Sequence, residues 1–340
     1  PKADIECLWH GRSIGHRDVE GTLLDDDLVV AVDNIQRSES RPNGLSRFAF
    51  GTDTRHRHAL FSAFGSGKPG VCPFAAFMHA SARMNRMLTF VGLGLYDEQS
   101  VTVRGQEAIQ AADSVFAEFY TSHLAGTTIE TIESTHGVEI TVRDRVGVEQ
   151  DPEPILAAAE DGDAVFLTGG DPMISTTHVD LRLRAVDRGI DTGVVHGTTA
   201  QTAASSLTGL QNYRFGKATT LPFERSHGGS GVPDSVLATV AENTDRSLHT
   251  LVYLDIDREN DAYMTADHAA SLLTDAGLDR VAAVVGQAGS DDPTVVADRL
   301  PALTDRSFGP PLHLLVLPGE CHPLERDALV SLADAPADAI

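Results

Sequence analysis

From Met87 onward, apolar and polar positions along the chain fall into two alternating rhythms. Leu88 to Leu93 is an apolar run ending in Gly92-Leu93-Gly94, which predicts a buried strand entering a glycine turn. Thr102 to Ala112 has helical spacing, and Ser114 to Phe119 reads as a second strand. A short helix over Pro154–Glu160 precedes a strand over Ala164–Thr168, which ends in Gly169-Gly170-Asp171-Pro172. Helix Thr176–Arg188, strand Thr192–His196 and helix Thr199–Leu207 follow. Such alternation predicts an α/β fold with a mostly parallel sheet covered by helices.

After the turn-rich stretch 225–233 a second alternating set begins. It comprises helix Asp234–Asn243, strand Thr250–Ile256, helix Ala266–Ala276, strands Val281–Gly286 and His313–Leu317, and helix Glu325–Leu332. The expectation is a two-lobed α/β protein with a first lobe over 87–222 and a second, with a mixed sheet, over 223–340. At 340 residues the chain has room for two domains of roughly 150 residues, each with its own core.

Residues 1–86 do not share this pattern. They hold Arg/His/Ser/Gly-rich stretches such as Arg55-His56-Arg57-His58, and no sustained period runs past position 35. Gly65-Ser66-Gly67-Lys68-Pro69 fails as a phosphate loop, because its first glycine is missing and Pro69 stands where a hydroxyl belongs. This segment is expected to be an extension, disordered or produced by a start set too far upstream.

Charge divides at the same place. Residues 1–86 carry 11 basic and 10 acidic residues, whereas 87–340 carry 15 basic and 39 acidic, with Lys217 the only lysine. Acidic loading with arginine in place of lysine suits a cytoplasm at molar salt, where the Debye length falls to about 3 Å and carboxylate repulsion is screened. A halophilic, cytoplasmic protein is expected. A formal charge of -23 disfavours nucleic acid as a partner. No run approaches the about 20 apolar residues of a membrane span, and 41% hydrophobic content argues against global disorder. Cys7, Cys72 and Cys321 have no paired spacing, so no disulfide framework is expected.

Three strand ends are candidate ligand loops, since open α/β sheets bind ligands beyond the carboxyl ends of their strands. Gly92-Leu93-Gly94-Leu95 lacks the third glycine of a dinucleotide fingerprint, because Asp97 occupies that position. Asp171, between a glycine pair and a proline, suits acceptance of hydrogen bonds from ligand amines or hydroxyls; as an ordinary turn residue it would cap the next helix. His196-Gly197-Thr198-Thr199-Ala200 opens a helix with small residues, where helix capping and close backbone contact to a ligand are compatible. None of the nine histidines after Met87 has a metal-ligand spacing, and no G-x-S-x-G elbow occurs. Cys321 beside His322 is read as an incidental loop pair rather than a nucleophile. The expected chemistry uses neither metal nor covalent nucleophile.

Taken together, several stretches resemble the diphthine synthase family, within the tetrapyrrole-methylase-like fold of S-adenosylmethionine-dependent methyltransferases. They are MLTFVGLGLYDEQSVTVRG (87–105), FAEFYTS (116–122), LAGTT (124–128), FLTGGDPMISTTH (166–178), TGLQNYRFGKATTLP (208–222), HTLVYLDI (249–256), YMTADHA (263–269), QAGSDDPT (287–294) and FGPPLHLLVLPGECHPLE (308–325). The resemblance covers 87–340 and none of 1–86. It implies methylation, by S-adenosylmethionine, of the amino group of a 3-carboxy-3-aminopropyl side chain on a histidine of elongation factor 2, giving trimethylated diphthine in diphthamide biosynthesis. It further implies a homodimer with the cofactor between the lobes. Cofactor contacts carry over to Leu95, Asp171, Ile174, Thr199, Ala200, Leu254, Ala288 and His313. The family's usual Ser-Ile pair is Thr199-Ala200 here, its proline is Gly169, and its arginine is Gln287. His313 also fits a core histidine satisfied by one hydrogen bond. Glu118, Tyr120, Asp97 and His178 are candidate bases, and none is assigned. The alternatives are a same-fold methyltransferase acting on a tetrapyrrole or other small molecule, and a non-catalytic cofactor-binding protein.

Overall fold

A computed structural model describes residues 86–340. The readings of the extension, of Cys7 and Cys72, and of Gly65–Pro69 lie outside the described residues.

Five strands, β1 (Met87–Gly92), β2 (Ser114–Glu118), β3 (Ile140–Val142), β4 (Asp163–Thr168) and β5 (Asp191–Val195), form one sheet. Their order is β3-β2-β4-β1-β5 and every pairing is parallel. The intervening helices are α1 (Val103–Ala111), α2 (Ile129–His136), α3 (Arg145–Glu149), α4 (Glu153–Asp161) and α5 (Val179–Asp187). The strands read as unbroken apolar runs because both faces are covered. Leu88, Phe90 and Phe166 pack with Ile155, Leu156 and Leu181 of α4 and α5, while Val91, Val165 and Leu167 pack with Ile109 and Ile132 of α1 and α2. All five strands point their carboxyl ends the same way, so their outgoing loops gather at one edge.

The chain then passes through α6 (Ala200–Thr208), β6 (Thr219–Leu221), α7 (Glu224–His227), α8 (Asp234–Asp245) and β7 (Thr250–Leu254). A small hairpin of β8 (Ile256–Asp257) and β9 (Ala262–Tyr263) leads to α9 (Ala266–Asp275), β10 (Val281–Gly286), β11 (Thr294–Arg299), α10 (Leu300–Leu303), β12 (His313–Leu317) and α11 (Pro323–Leu332). The second sheet has the order β11-β10-β12-β7-β6 and is mixed: β6 runs parallel to β7, and the other pairings are antiparallel. The expected α/β class, with a parallel first sheet and a mixed second, is what the fold contains.

Three differences from the sequence reading have local causes. The chain changes sheets ahead of the expected 222/223 boundary. Already β6 belongs to the second sheet, and α6 sets Ala204 and Leu207 against Leu251, Val285 and Leu329 of that lobe. The strand expected over 250–256 stops at Leu254, because the Asp255 carboxylate accepts from the Phe223 N–H at 2.9 Å and the Ser226 hydroxyl at 2.8 Å and turns the chain out. The helix expected from Thr176 starts at Val179, since the His178 ring bonds back to the Pro172 carbonyl at 3.2 Å. Strands β3, β6 and β11 are short or lie at a sheet edge, and their half-exposed residues leave no run to read.

Candidate functional site

The site begins with four glycines, Gly92, Gly94, Gly170 and Gly197, at neighbouring strand ends. Gly94 and Gly170 exchange backbone hydrogen bonds at 3.2 and 2.7 Å, each at φ +74°, a left-handed conformation that glycine alone adopts without penalty. A Cβ on Gly92 would stand 2.6 Å from the Gly197 nitrogen, and one on Gly197 would meet the Gly170 carbonyl oxygen. The loops after β1, β4 and β5 therefore touch backbone to backbone, which is what the glycine turn of the first strand serves.

Asp171 locks this arrangement. Only 5% exposed, its carboxylate accepts from the Met173 N–H at 2.9 Å, from the Gly197 N–H at 3.3 Å, and pairs with Nδ1 of the exposed His196 at 2.7 Å. It thus caps its own loop, as an ordinary turn aspartate would, and also staples that loop to the one after β5. Both roles place its oxygens at the cleft edge.

A cavity of about 320 Å³ opens between these loops and the second lobe, within the usual range of small-molecule sites. Leu95, Asp171, Ile174, Thr199, Ala200, Leu254 and His313 all line it. Thr199 also caps α6, its hydroxyl accepting from the Thr202 N–H at 3.2 Å. Nδ1 of His313 accepts from the Ala266 N–H at 3.1 Å, and burial lowers the imidazole's proton affinity, so the ring is neutral with its proton on Nε2. This is the single hydrogen bond expected of a core histidine, yet the ring also faces the cleft. Ala288 stands apart. It packs on the second-lobe core, and it is the next residue, Gly289, that presses on Leu95.

Four polar atoms of the cavity lining are buried without a protein partner: the Tyr120 hydroxyl, Thr168 Oγ1, Thr176 Oγ1 and His313 Nε2. Leaving a buried polar atom unpaired costs about 1–3 kcal/mol, so their gathering around one cavity marks where a polar ligand completes the structure. Apolar Ile174, 46% exposed at the rim, offers the complementary apolar contact. Hydroxyls, backbone groups and apolar surface around such a cavity fit a nucleoside-bearing cofactor.

Of the four candidate bases only Tyr120 lines the cavity. Burial, then the nearby Glu118 and Glu149 charges, push its phenol upward, which makes it a donor at neutral pH. Asp97 caps the turn at Glu98–Ser100 through the Gln99 N–H at 3.0 Å. Glu118 lies fully buried beneath the cavity floor, accepting from the N–H groups of Tyr120 at 2.9 Å and Thr121 at 3.0 Å and from the Thr121 hydroxyl. His178 Nε2 approaches it to 3.5 Å. Burial raises the Glu118 carboxyl and lowers the His178 imidazole to about 4, so a proton entering this pair rests on the glutamic acid. Cys321 has its thiol pushed up by burial, and His322 caps α11 in a capping box with Glu325. Neither forms a nucleophilic pair.

The sequence reading did not single out Thr121, Ser122 and Arg145 after β2 and β3, or Tyr253, Asp255 and Ile256 around the end of β7, all of which line the cavity. The signal was their place at strand ends. Tyr253 also ties the lobes together, its hydroxyl lying 3.0 Å from that of Ser175.

The parallel first sheet, the cleft at its carboxyl edge and the mixed second sheet define the class. The sequence pattern of the Tetrapyrrole (Corrin/Porphyrin) Methylases matches residues 87–304. Diphthine synthase of Natronomonas pharaonis is 64% identical over 263 residues, spanning 75% of this chain and 98% of its own length. That of Halobacterium salinarum is 65% identical over 260 residues, spanning 75% and 100%, and that of Methanosarcina barkeri 48% over 260, spanning 74% and 97%. A crystal structure of diphthine synthase superposes with a TM-score of 0.69 at 36% identity, covering 74% of this chain and 98% of that one. The chain belongs to the tetrapyrrole methylases and, within them, to the diphthine synthases, S-adenosylmethionine-dependent methyltransferases of diphthamide biosynthesis.

Proposed function

We propose that the chain methylates the amino group of a 3-carboxy-3-aminopropyl side chain on one histidine of elongation factor 2, carrying it to the trimethylated form, diphthine. Its setting is the cytoplasm and its state a homodimer, with elongation factor 2 as the protein partner. Among the described residues no helix is long and apolar enough to cross a membrane. The observation that carries the reading is the convergence of seven residues, from four separate strand ends and the start of α6, on one cavity with four unpaired polar atoms.

In this reading Leu95, Asp171, Ile174, Thr199, Ala200, Leu254 and His313 hold the cofactor, and Ala288 supports Leu95 through Gly289. S-adenosylmethionine supplies a methyl group on a sulfonium, whose departure as a neutral thioether needs no general acid. The protein's part is alignment, since fixing two reactants in line contributes about 7–11 kcal/mol. The backbone contacts among Gly92, Gly170 and Gly197 set the cleft's floor, and the Ser175–Tyr253 bridge sets its width. The amine must be neutral to attack, so the cleft receives it after loss of a proton.

Mass spectrometry of the modified-histidine peptide of elongation factor 2, from cells lacking this gene, tests the reading. The expected peptide stalls at the unmethylated aminocarboxypropyl stage and is restored by residues 87–340 alone. A fully modified peptide in the deletion strain overturns it and favours a small-molecule substrate.

A further inference from the structure

A second cavity, of about 620 Å³, adjoins the cofactor cleft and shares Tyr120, Arg145 and Ile256 with it. At this junction two donors stand unused. Arg145, the first residue of α3, is exposed, and among the described residues it forms no ion pair. Arg184, Arg188, Arg225 and Arg299, by contrast, each meet a carboxylate within 3 Å. The Arg145 guanidinium lies over the Tyr120 ring at 5.2 Å, and the Tyr120 hydroxyl is buried with no partner. With His313 neutral, Arg145 is, among the described residues, the only positive charge lining the cofactor cleft. The acids nearby are already committed. Glu118 holds the turn beneath Tyr120, Asp144 caps α3 through the Gly147 N–H at 2.7 Å, and Glu149 accepts from the Thr177 hydroxyl at 3.0 Å.

A guanidinium beside a phenol O–H is matched by a carboxylate, one oxygen to each donor. The reaction proposed above involves two carboxylates, one on the cofactor's methionine part and one on the substrate's aminocarboxypropyl arm. Arg145 stands where the cleft opens into the outer cavity, which Arg225 and Arg258 also line. A macromolecular substrate has to reach inward through that opening. We infer that Arg145 and the Tyr120 hydroxyl form a carboxylate clamp for the aminocarboxypropyl arm of the protein substrate, holding its neighbouring amine at the methyl donor.

This inference rests on the proposed function, and its test separates the two. Elongation factor 2 is prepared with and without the aminocarboxypropyl group, and its affinity for the full-length enzyme loaded with S-adenosylhomocysteine is measured by interferometry. Calorimetry gives the enzyme's affinity for S-adenosylhomocysteine alone. Wild-type enzyme should prefer the modified factor, and Arg145→Gln should lose about tenfold or more of that preference, with Tyr120→Phe losing less and Arg145→Lys part of it. Binding of S-adenosylhomocysteine should stay within about twofold, which also reports that each variant is folded. An equal loss of S-adenosylhomocysteine affinity would assign the clamp to the cofactor and overturn the inference. An unchanged preference in Arg145→Gln would overturn it as well. Failure of wild-type enzyme to distinguish or methylate the modified factor would instead bring down the functional reading on which it depends.

Discussion

Gly94 and Gly170 join the loops after β1 and β4 by a reciprocal pair of backbone hydrogen bonds, and Gly170 in turn leaves no room for a side chain on Gly197. The two kinds of glycine should respond differently to alanine. Gly170→Ala meets no atom nearer than 4.0 Å and carries only the cost of positive φ, about 1–2 kcal/mol. Gly197→Ala pushes against backbone on both sides, so about 3 kcal/mol of stability and most S-adenosylhomocysteine affinity should be lost. Thermal melts and calorimetry on the pair would refute this by showing equal effects.

Asp171 joins the same loops through its side chain. Asp171→Ala strands the N–H groups of Met173 and Gly197 at a cost of about 1–3 kcal/mol each, and frees His196. S-adenosylhomocysteine binding should weaken by at least about tenfold. Near-native affinity in a folded variant would remove Asp171 from the site.

Acid should destabilise the protein well above the carboxylate range. Burial lowers the proton affinity of His136, His178, His249 and His313 below the ordinary 6.5, with His178 at about 4. The unfolded chain then binds more protons than the folded one below pH 6.5, and stability falls as pH drops from there toward 4. A histidine contributes a slope of up to about 1.4 kcal/mol per pH unit between its folded and unfolded values, and His178, held at about 4, contributes about 3 kcal/mol in total. Glu118 opposes this, because burial raises its carboxyl and its contribution is lost as pH rises instead. Denaturation midpoints at pH 7.5, 6 and 5 should fall progressively; a flat profile would contradict neutral buried imidazoles.

Salt should act in the other direction. With 39 acidic and 15 basic residues over 87–340, like-charge repulsion is strong in dilute buffer and screened at molar salt. The melting temperature should rise markedly between 0.1 and about 3 M potassium chloride. A fall, or no change, would mean that the acidic surface is already neutralised by its own ion pairs.

Much of this protein was legible from residue order. Strands β1, β4, β10 and β12 are near-continuous apolar runs because both of their faces are buried, and the Gly92–Leu95 and Gly169–Pro172 motifs announced loops that line the cavity. Helix α6 was legible as a helix but not as part of the second lobe. Its amphipathic period states that one face is buried, not against what. Likewise Asp171 was visible as a polar residue in a ligand-type loop, whereas its grip on Gly197, 26 residues on, depends on β4 and β5 flanking β1.

The sequence by itself determined the class of fold, the family and the strand-end loops, since these follow from local periodicity and contiguous motifs. Tertiary structure alone decided that Arg145 and Tyr120 share one opening, that Glu118 and His178 face each other in the dark of the core, and that three glycines touch. Those relationships join residues 25 to more than 100 positions apart. The packing of sheets and helices sets such distances, and no run of neighbouring residues encodes them.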